Sequence, residues 1–225
     1  MNNAATEIKK VWRIIAVGHD CVLELRAIWP KGSPETRPAR TKHFRACDYP
    51  SLDALRLAFE NAALSFNAAG YNVYTVMNPI KADFSGSGGA KDPDIRYRNL
   101  LLVDIDRIGD TSSPANQTEL DAAKALAGEI REYLHRQDWP EPFTVMSGNG
   151  FHLYYLIDTP NDEQSTELVR ATLKNLARIF DNKIVGVDTT VFNASRITKV
   201  PGTIMRKGLA TEDRPYRMAV VCDEN

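Results

Sequence analysis

Cysteine is scarce in this chain. The three present, Cys21, Cys47 and Cys222, are widely spaced and odd in number. No CxxC pair occurs, which argues against a disulfide framework and leaves a zinc site on His43, Cys47 and Cys21 without the usual paired spacing; free thiols in a reducing compartment are expected. Long apolar runs are missing as well. No stretch approaches the ~20 residues of a membrane span, and the opening MNNAATEIKK lacks the apolar core of a signal peptide. A cytoplasmic protein with no membrane partner is therefore expected. Glycine-rich nucleotide loops are incomplete. Gly86-Ser87-Gly88-Gly89-Ala90-Lys91 lacks a Gly-Lys-Ser/Thr ending, and Gly148-Asn149-Gly150 lacks the third glycine of a dinucleotide fingerprint. There is no internal repeat and no low-complexity tail.

What is present describes an ordinary globular chain. Its 225 residues, 43% hydrophobic and 25% charged, suffice for a large core in one or two domains. The net charge of −1 hides an uneven distribution. Residues 1–45 carry nine Lys/Arg against four Asp/Glu, residues 196–217 carry six against two, and the stretch between them is acidic. Basic ends around an acidic centre fit a polyanion path beside a carboxylate metal site. For residues 1–45 alone, solvated surface charge is the simpler reading.

Period and punctuation give the elements. Val11–Val17 and Cys21–Ile28 read as a strand pair, followed by an irregular segment with three prolines between Pro30 and Pro38. Ser51 is placed to cap a helix that closes near Gly70. Asn72–Met77 reads as a short strand and Phe84–Ala90 as a flexible loop. Helices are expected over about 118–136 and 162–180, strands over Pro142–Met146, Phe151–Ile157, Ile184–Val187 and near Tyr216–Cys222. Strands that come both as hairpins and alternating with helices predict an α+β (mixed α/β) fold with a mixed sheet. Residues 99–157 read β-α-β-β, most of an RRM-like half. Residues 1–90 would form an N-terminal α/β half packed against it, with the active-site cleft between the two.

Three motifs carry chemistry. In Leu100-Leu101-Leu102-Val103-Asp104-Ile105-Asp106 an apolar strand ends in two carboxylates one residue apart, and strand alternation puts both on one face. Such a pair repels unless a proton or a cation sits between its members, and hard divalent ions favour it. In Ser147-Gly148-Asn149-Gly150-Phe151-His152 a glycine hairpin precedes a strand histidine that could donate to a phosphate. In the third, Val185-Gly186-Val187-Asp188 ends in another carboxylate, with Arg196 and Lys199 downstream as triphosphate ligands.

This ordered set resembles the archaeo-eukaryotic primase superfamily, in its primase-polymerase branch from plasmids, phages and mobile elements. The resemblance rests on Asp104-Ile105-Asp106, on Ser147 to His152, and on Asp188 with Ser195-Arg196-Ile197 and Val200-Pro201-Gly202-Thr203. It extends to Tyr74-Thr75-Val76-Met77-Asn78-Pro79 and covers about residues 70–205. One departure is clear: much of the superfamily has serine two residues before the histidine, where Gly150 stands here. Backbone N–H groups of the turn are the expected substitute.

The resemblance implies a single catalytic domain over 1–225, divided into 1–90 and an RRM-like 91–225. It implies a DNA-dependent primase-polymerase that makes primers on single-stranded DNA and extends them from NTP or dNTP, releasing pyrophosphate. Asp104, Asp106 and Asp188 would hold two Mg²⁺ or Mn²⁺ ions. Ser147, Gly148, Asn149, Gly150, His152, Arg196 and Lys199 would bind the nucleotide, and Arg206, Lys207, Arg214 and Arg217 the template. A helicase domain or protein of the same replicon is a further expected partner. A repair or damage-tolerance polymerase without priming, a DxD glycosyltransferase and a non-catalytic nucleic-acid-binding module remain open alternatives.

Overall fold

The computed structural model describes residues 3–15, 18 and 20–222. The chain runs α1 (Asn3–Lys9), β1 (Val22–Ile28), β2 (Arg40–Arg45), α2 (Leu52–Ala68), β3 (Asn72–Val76) and β4 (Tyr97–Arg107). It continues with α3 (Gln117–His135), β5 (Phe143–Met146), β6 (Phe151–Pro160), α4 (Glu163–Phe180) and β7 (Val185–Val187). Four short strands follow: β8 (Ile197–Lys199), β9 (Ile204–Met205), β10 (Arg217–Met218) and β11 (Val220–Cys222).

The helices begin where their caps dictate. Ser51 Oγ accepts from Ala54 N, and Asp162 Oδ1 accepts from Ser165 N. At α3, Asn116 and Glu119 form a reciprocal capping box. The apolar stripe of α3 (Leu120, Ala123, Leu126, Ala127, Ile130, Leu134) is buried, as its spacing requires.

The expected α+β class holds, but every strand pairing described is antiparallel rather than mixed. One sheet is ordered β2-β1-β3-β8 and the other β11-β5-β6-β4-β7. Within the second, the succession β4-α3-β5-β6-α4-β7 with spatial order β5-β6-β4-β7 is the RRM-like split βαβ arrangement. Val103 and Ile105 turn into the core shared with α3 and α4, and Asp104 and Asp106 turn to the other face. A second core lies between the four-stranded sheet and α2, around Leu25, Phe44, Leu55 and Phe59.

Helix α1, the turn after it and the short or polar strands β2, β8 and β9 differ from expectation. Lys10–Arg13 is a 3₁₀ turn rather than a strand, because Val11, Ile14 and Ile15 are buried at a spacing of three and four, a helical period. The rest of that expected strand, at residues 16 and 17, lies outside the described residues. Strands β2 and β8 carried no apolar alternation to announce them. The first buries only Phe44, and the second is three residues long.

Strand β8 matters most for function. It pairs with β3 and so completes the N-terminal sheet from the C-terminal third of the chain. Asn78 strengthens the same join: its amide donates to Ala194 O, and its Oδ1 accepts from the backbone of Asn99 and Leu100 at the start of β4. The two sheets therefore meet where β8 passes the second motif.

Candidate active site

The carboxylate face of β4 lies open between neighbours on both sides. Asp104 is registered against His152 of β6, and His152 Nε2 lies 3.3 Å from Asp104 Oδ1 without the alignment of a hydrogen bond. On the other flank, β7 pairs with β4, and Asp188 N donates to Asp104 O at 2.8 Å. Asp188 thus continues the ladder opposite Asp104. Its carboxylate is turned to Thr190, accepting from the backbone N–H and the hydroxyl at 2.8 and 2.7 Å.

Charge is unevenly balanced across the β4 pair. Burial works to raise Asp104, but His152, Lys199 and Arg196 outweigh it and hold this carboxyl down at about 2. Asp106 moves the other way. Burial and then the neighbouring Asp104 push it up, against Lys199, Lys207 and the Arg107 N–H. One carboxylate is thus firmly ionised while its neighbour resists charging, the arrangement that a divalent cation would relieve. Among the described residues no three His, Cys, Asp or Glu side chains are already gathered as a metal cage. The hard-oxygen pair suits Mg²⁺ or Mn²⁺, ions that keep waters and phosphate oxygens as further ligands.

Beneath Asp104 runs a buried polar chain that the motif did not contain. His152 Nδ1 is 2.8 Å from Tyr154 Oη and 3.3 Å from Thr198 Oγ1, and the two hydroxyls are hydrogen-bonded to each other. Burial pushes the Tyr154 hydroxyl well above its usual pKa, so it stays protonated. Thr198 belongs to the other sheet, and this contact locks the histidine across the junction. The same-face position of Tyr154, two residues after His152, was a visible signal; the approach of Thr198 was not. Tyr74 also lies near Asp104, its hydroxyl pushed up to about 12 by burial and by that carboxylate.

The glycine hairpin is shaped by close approach. Gly148 has φ 98°, a conformation glycine adopts freely. Gly150 has no such φ; a Cβ there would run into the Ile105 carbonyl oxygen on β4, so glycine is what lets the turn abut the carboxylate strand. Gly150 N donates to Ser147 Oγ, and Gly148 N approaches Met146 Sδ at 3.1 Å. Asn149 Oδ1 accepts from Ala115 N and ties the turn to the start of α3. Lys199 Nζ reaches back to Ser147 Oγ at 3.4 Å.

The chain resembles known proteins at the level of structure only. Neither a protein-family model nor a curated protein matches the sequence. Solved structures do match. The AEP domain of the cyanophage S-2L primase-polymerase aligns with 97% of this chain and 89% of its own, at TM-score 0.54 and 21% identity. Primase RepB′ aligns over 98% of this chain and 56% of its own, at TM-score 0.51 and 15% identity. The chain has the archaeo-eukaryotic primase-polymerase fold. A third match is the polymerase domain of Mycobacterium tuberculosis ligase D in complex with DNA, covering 96% of this chain and 79% of that one, at TM-score 0.50 and 17% identity.

On this primase-polymerase fold the remaining expected residues separate into two groups. Arg196, Lys199 and Lys207 are close enough to the β4 carboxylates to act on their charge. Arg206 is half-buried, its backbone N–H held by Asn72 Oδ1 at 2.8 Å. Arg214 and Arg217 are directed to the start of α3: Arg214 pairs with Glu119 at 2.7 Å, and Arg217 donates to Ala115 O at 2.6 Å.

Proposed function

We propose that this chain is a DNA-dependent primase-polymerase, a nucleotidyltransferase that makes primers on single-stranded DNA and extends them from NTP or dNTP. The observation that carries the reading is the placement of Asp104 and Asp106 on one face of β4, with His152 registered against Asp104 on one side and Asp188 continuing the β7 ladder opposite it on the other. Asp104 and Asp106, joined by Asp188 from the adjoining ladder position, would hold two Mg²⁺ or Mn²⁺ ions. When bound, those ions supply charge neutralisation at the attacking 3′-hydroxyl and at the triphosphate.

The chain's own groups supply the rest. His152 Nε2, buried and 3.3 Å from Asp104 Oδ1 outside hydrogen-bond alignment, would donate to a phosphate oxygen brought beside that carboxylate. Lys199 and Arg196 add positive charge on the same side, where the β and γ phosphates would lie. Ser147, Gly148, Asn149 and Gly150 set the wall against which the nucleotide rests. Arg206 and Lys207 meet template phosphates without reading sequence, while Arg214 and Arg217 brace that region against α3.

The likeness to the ligase D polymerase domain supports a second reading, a repair polymerase that extends but does not prime. A helicase partner from the same replicon, and a cytoplasmic setting in a bacterium, archaeon, phage or plasmid host, belong to the first reading. Among the described residues no helix is long and apolar enough to cross a membrane.

Synthesis on unprimed single-stranded DNA tests the proposal, with NTPs and dNTPs supplied separately and either Mg²⁺ or Mn²⁺. Metal-dependent products that vanish in Asp104→Ala and Asp106→Ala are expected. Undiminished synthesis by the double variant refutes the proposal. Extension of a supplied primer without de novo products selects the repair reading.

A further inference from the structure

The polar chain behind His152 decides which of its two ring nitrogens carries the proton. His152, Tyr154 and Thr198 are 2%, 1% and 3% exposed, so their hydrogen bonds are made within the protein. Each stands on paired backbone. At His152 and Tyr154, β6 is flanked on both sides, by Asp104 and Leu102 of β4 and by Val145 and Phe143 of β5. Thr198 is held opposite Thr75 of β3. The three side chains therefore meet with little freedom to part.

The number of protons sets the direction of this chain. Tyr154 and Thr198 bring one hydroxyl proton each, and burial keeps the Tyr154 hydroxyl from ionising. Among the described residues these hydroxyls are bonded to each other and to His152 Nδ1 alone. With Nδ1 bare, Thr198 donates to Tyr154, Tyr154 donates to Nδ1, and every proton has an acceptor. With a proton on Nδ1, three protons share two oxygens, and one hydroxyl is left buried without an acceptor, which is costly. The far side of the ring agrees. Nε2 lies 3.3 Å from Asp104 Oδ1, where an N–H is attracted and a nitrogen lone pair is repelled.

We propose that Tyr154 and Thr198 are positioning residues that keep the proton of the neutral His152 ring on Nε2, presented to a nucleotide phosphate beside Asp104. The ring is thus set from the N-terminal sheet, through β8. That strand also carries Lys199, so three residues place both a cation and the direction of a donor. The inference rests on the polymerase reading for its ligand; the place of the proton does not.

Nitrogen-15 NMR of the histidine-labelled protein at mildly alkaline pH, without nucleotide, reads the tautomer directly. The His152 signals, assigned by their loss in His152→Ala, should show Nε2 as an N–H and Nδ1 as an acceptor. A proton on Nδ1 overturns the proposal, and this measurement needs no variant of Tyr154 or Thr198 to fold. Binding of dATP with Mg²⁺ tests the action through the ring. Tyr154→Phe should weaken it about three- to tenfold, and Thr198→Val less, since Tyr154 still donates. His152→Ala should weaken it at least about tenfold. Adding Tyr154→Phe to His152→Ala should then cost nothing more, because the hydroxyl acts through the imidazole. A further loss of the same size in that background makes Tyr154 a structural residue and overturns the proposal. Wild-type protein that neither binds dATP nor releases pyrophosphate on a primed template refutes the polymerase reading, whichever nitrogen holds the proton.

Discussion

Two carboxylate clusters lie at either end of the connection from β4 to α3, and they are completed in opposite ways. Around Glu119, positive charge is brought in until the carboxylate is satisfied. Arg107, almost wholly buried, donates to Glu119 Oε2 and to the Pro114 carbonyl, both at 2.9 Å, and to the Ser113 carbonyl. Arg214 adds a two-pronged contact at 2.7 and 3.0 Å, and the Asn116 N–H a further one. Hydrogen bonding by Arg214 leads the effects that hold Glu119 down at about 2. Around Asp104 and Asp106 the cations are near but not closed upon the carboxylates. Among the described residues His152 Nε2 faces Asp104 Oδ1 at 3.3 Å outside hydrogen-bond alignment, Asp106 is pushed up, and Lys199 reaches Ser147 in a long contact of 3.4 Å. The first cluster holds a loop and a hairpin to a helix end. The second keeps its charge available for something not in the chain. A polar cluster left incomplete at a sheet junction points to a ligand, whereas a complete one points to architecture.

This contrast can be broken at its strongest point first. Asp104→Ala and Asp106→Ala should each lower nucleotidyl transfer by at least about a hundred- to a thousandfold, the usual size of losing charge stabilisation at a reacting group. Circular dichroism should stay native, and residual activity near wild type would place catalysis elsewhere. The architectural cluster should respond in stability instead. Arg107→Ala removes a buried guanidinium from Glu119 and from the Pro114 and Ser113 carbonyls, the first two of which keep Arg214, and should cost about 1–3 kcal/mol in denaturant unfolding; a loss well under about 1 kcal/mol would mean that the cluster is effectively solvated.

A smaller effect has a pH signature. Glu119 is lowered from 4.5 to about 2 on folding, so its stabilisation is present above 4.5 and fades as pH falls toward 2. Glu119→Gln should therefore melt below wild type at pH 7, with the gap closing through that window. A gap independent of pH would assign the loss to packing. The smallest change is a gain. Because the folded state disfavours charge on Asp106, that cost applies at neutral pH, and Asp106→Asn should raise the melting temperature slightly in a metal-free buffer. Mg²⁺ or Mn²⁺ should stabilise the wild type more than this variant, and equal stabilisation would count against a site on the β4 pair.

How far these features can be read from sequence depends on the distance over which each is decided. The alternation that places Asp104 and Asp106 together is local to one strand, as are the caps at Ser51 and Asp162 and the stripe of α3. All of them are visible in a window of a few residues. The 3₁₀ turn at Lys10–Arg13 is not legible in such a window, since Val-Trp-Arg-Ile-Ile offers β-formers but buries them at a helical spacing. Strands β2 and β8 were invisible because a polar edge strand and a three-residue strand are stabilised by partners far along the chain.

The sequence by itself determined which residues bear charge, which face of β4 they share, and where the helices begin. These follow from side-chain chemistry and backbone period. Only the tertiary structure decided which charges are matched. Thr198 is delivered to His152 and Tyr154 by β8, Arg214 to Glu119 by the loop after β9, and Lys207 toward Asp106 by Asn72. Gly150 makes the same point: its need for glycine comes from a β4 carbonyl, not from its own turn. The strength of an ion pair or hydrogen bond depends on spatial distance and on exclusion of water, and both are properties of chain segments brought together from far apart in sequence.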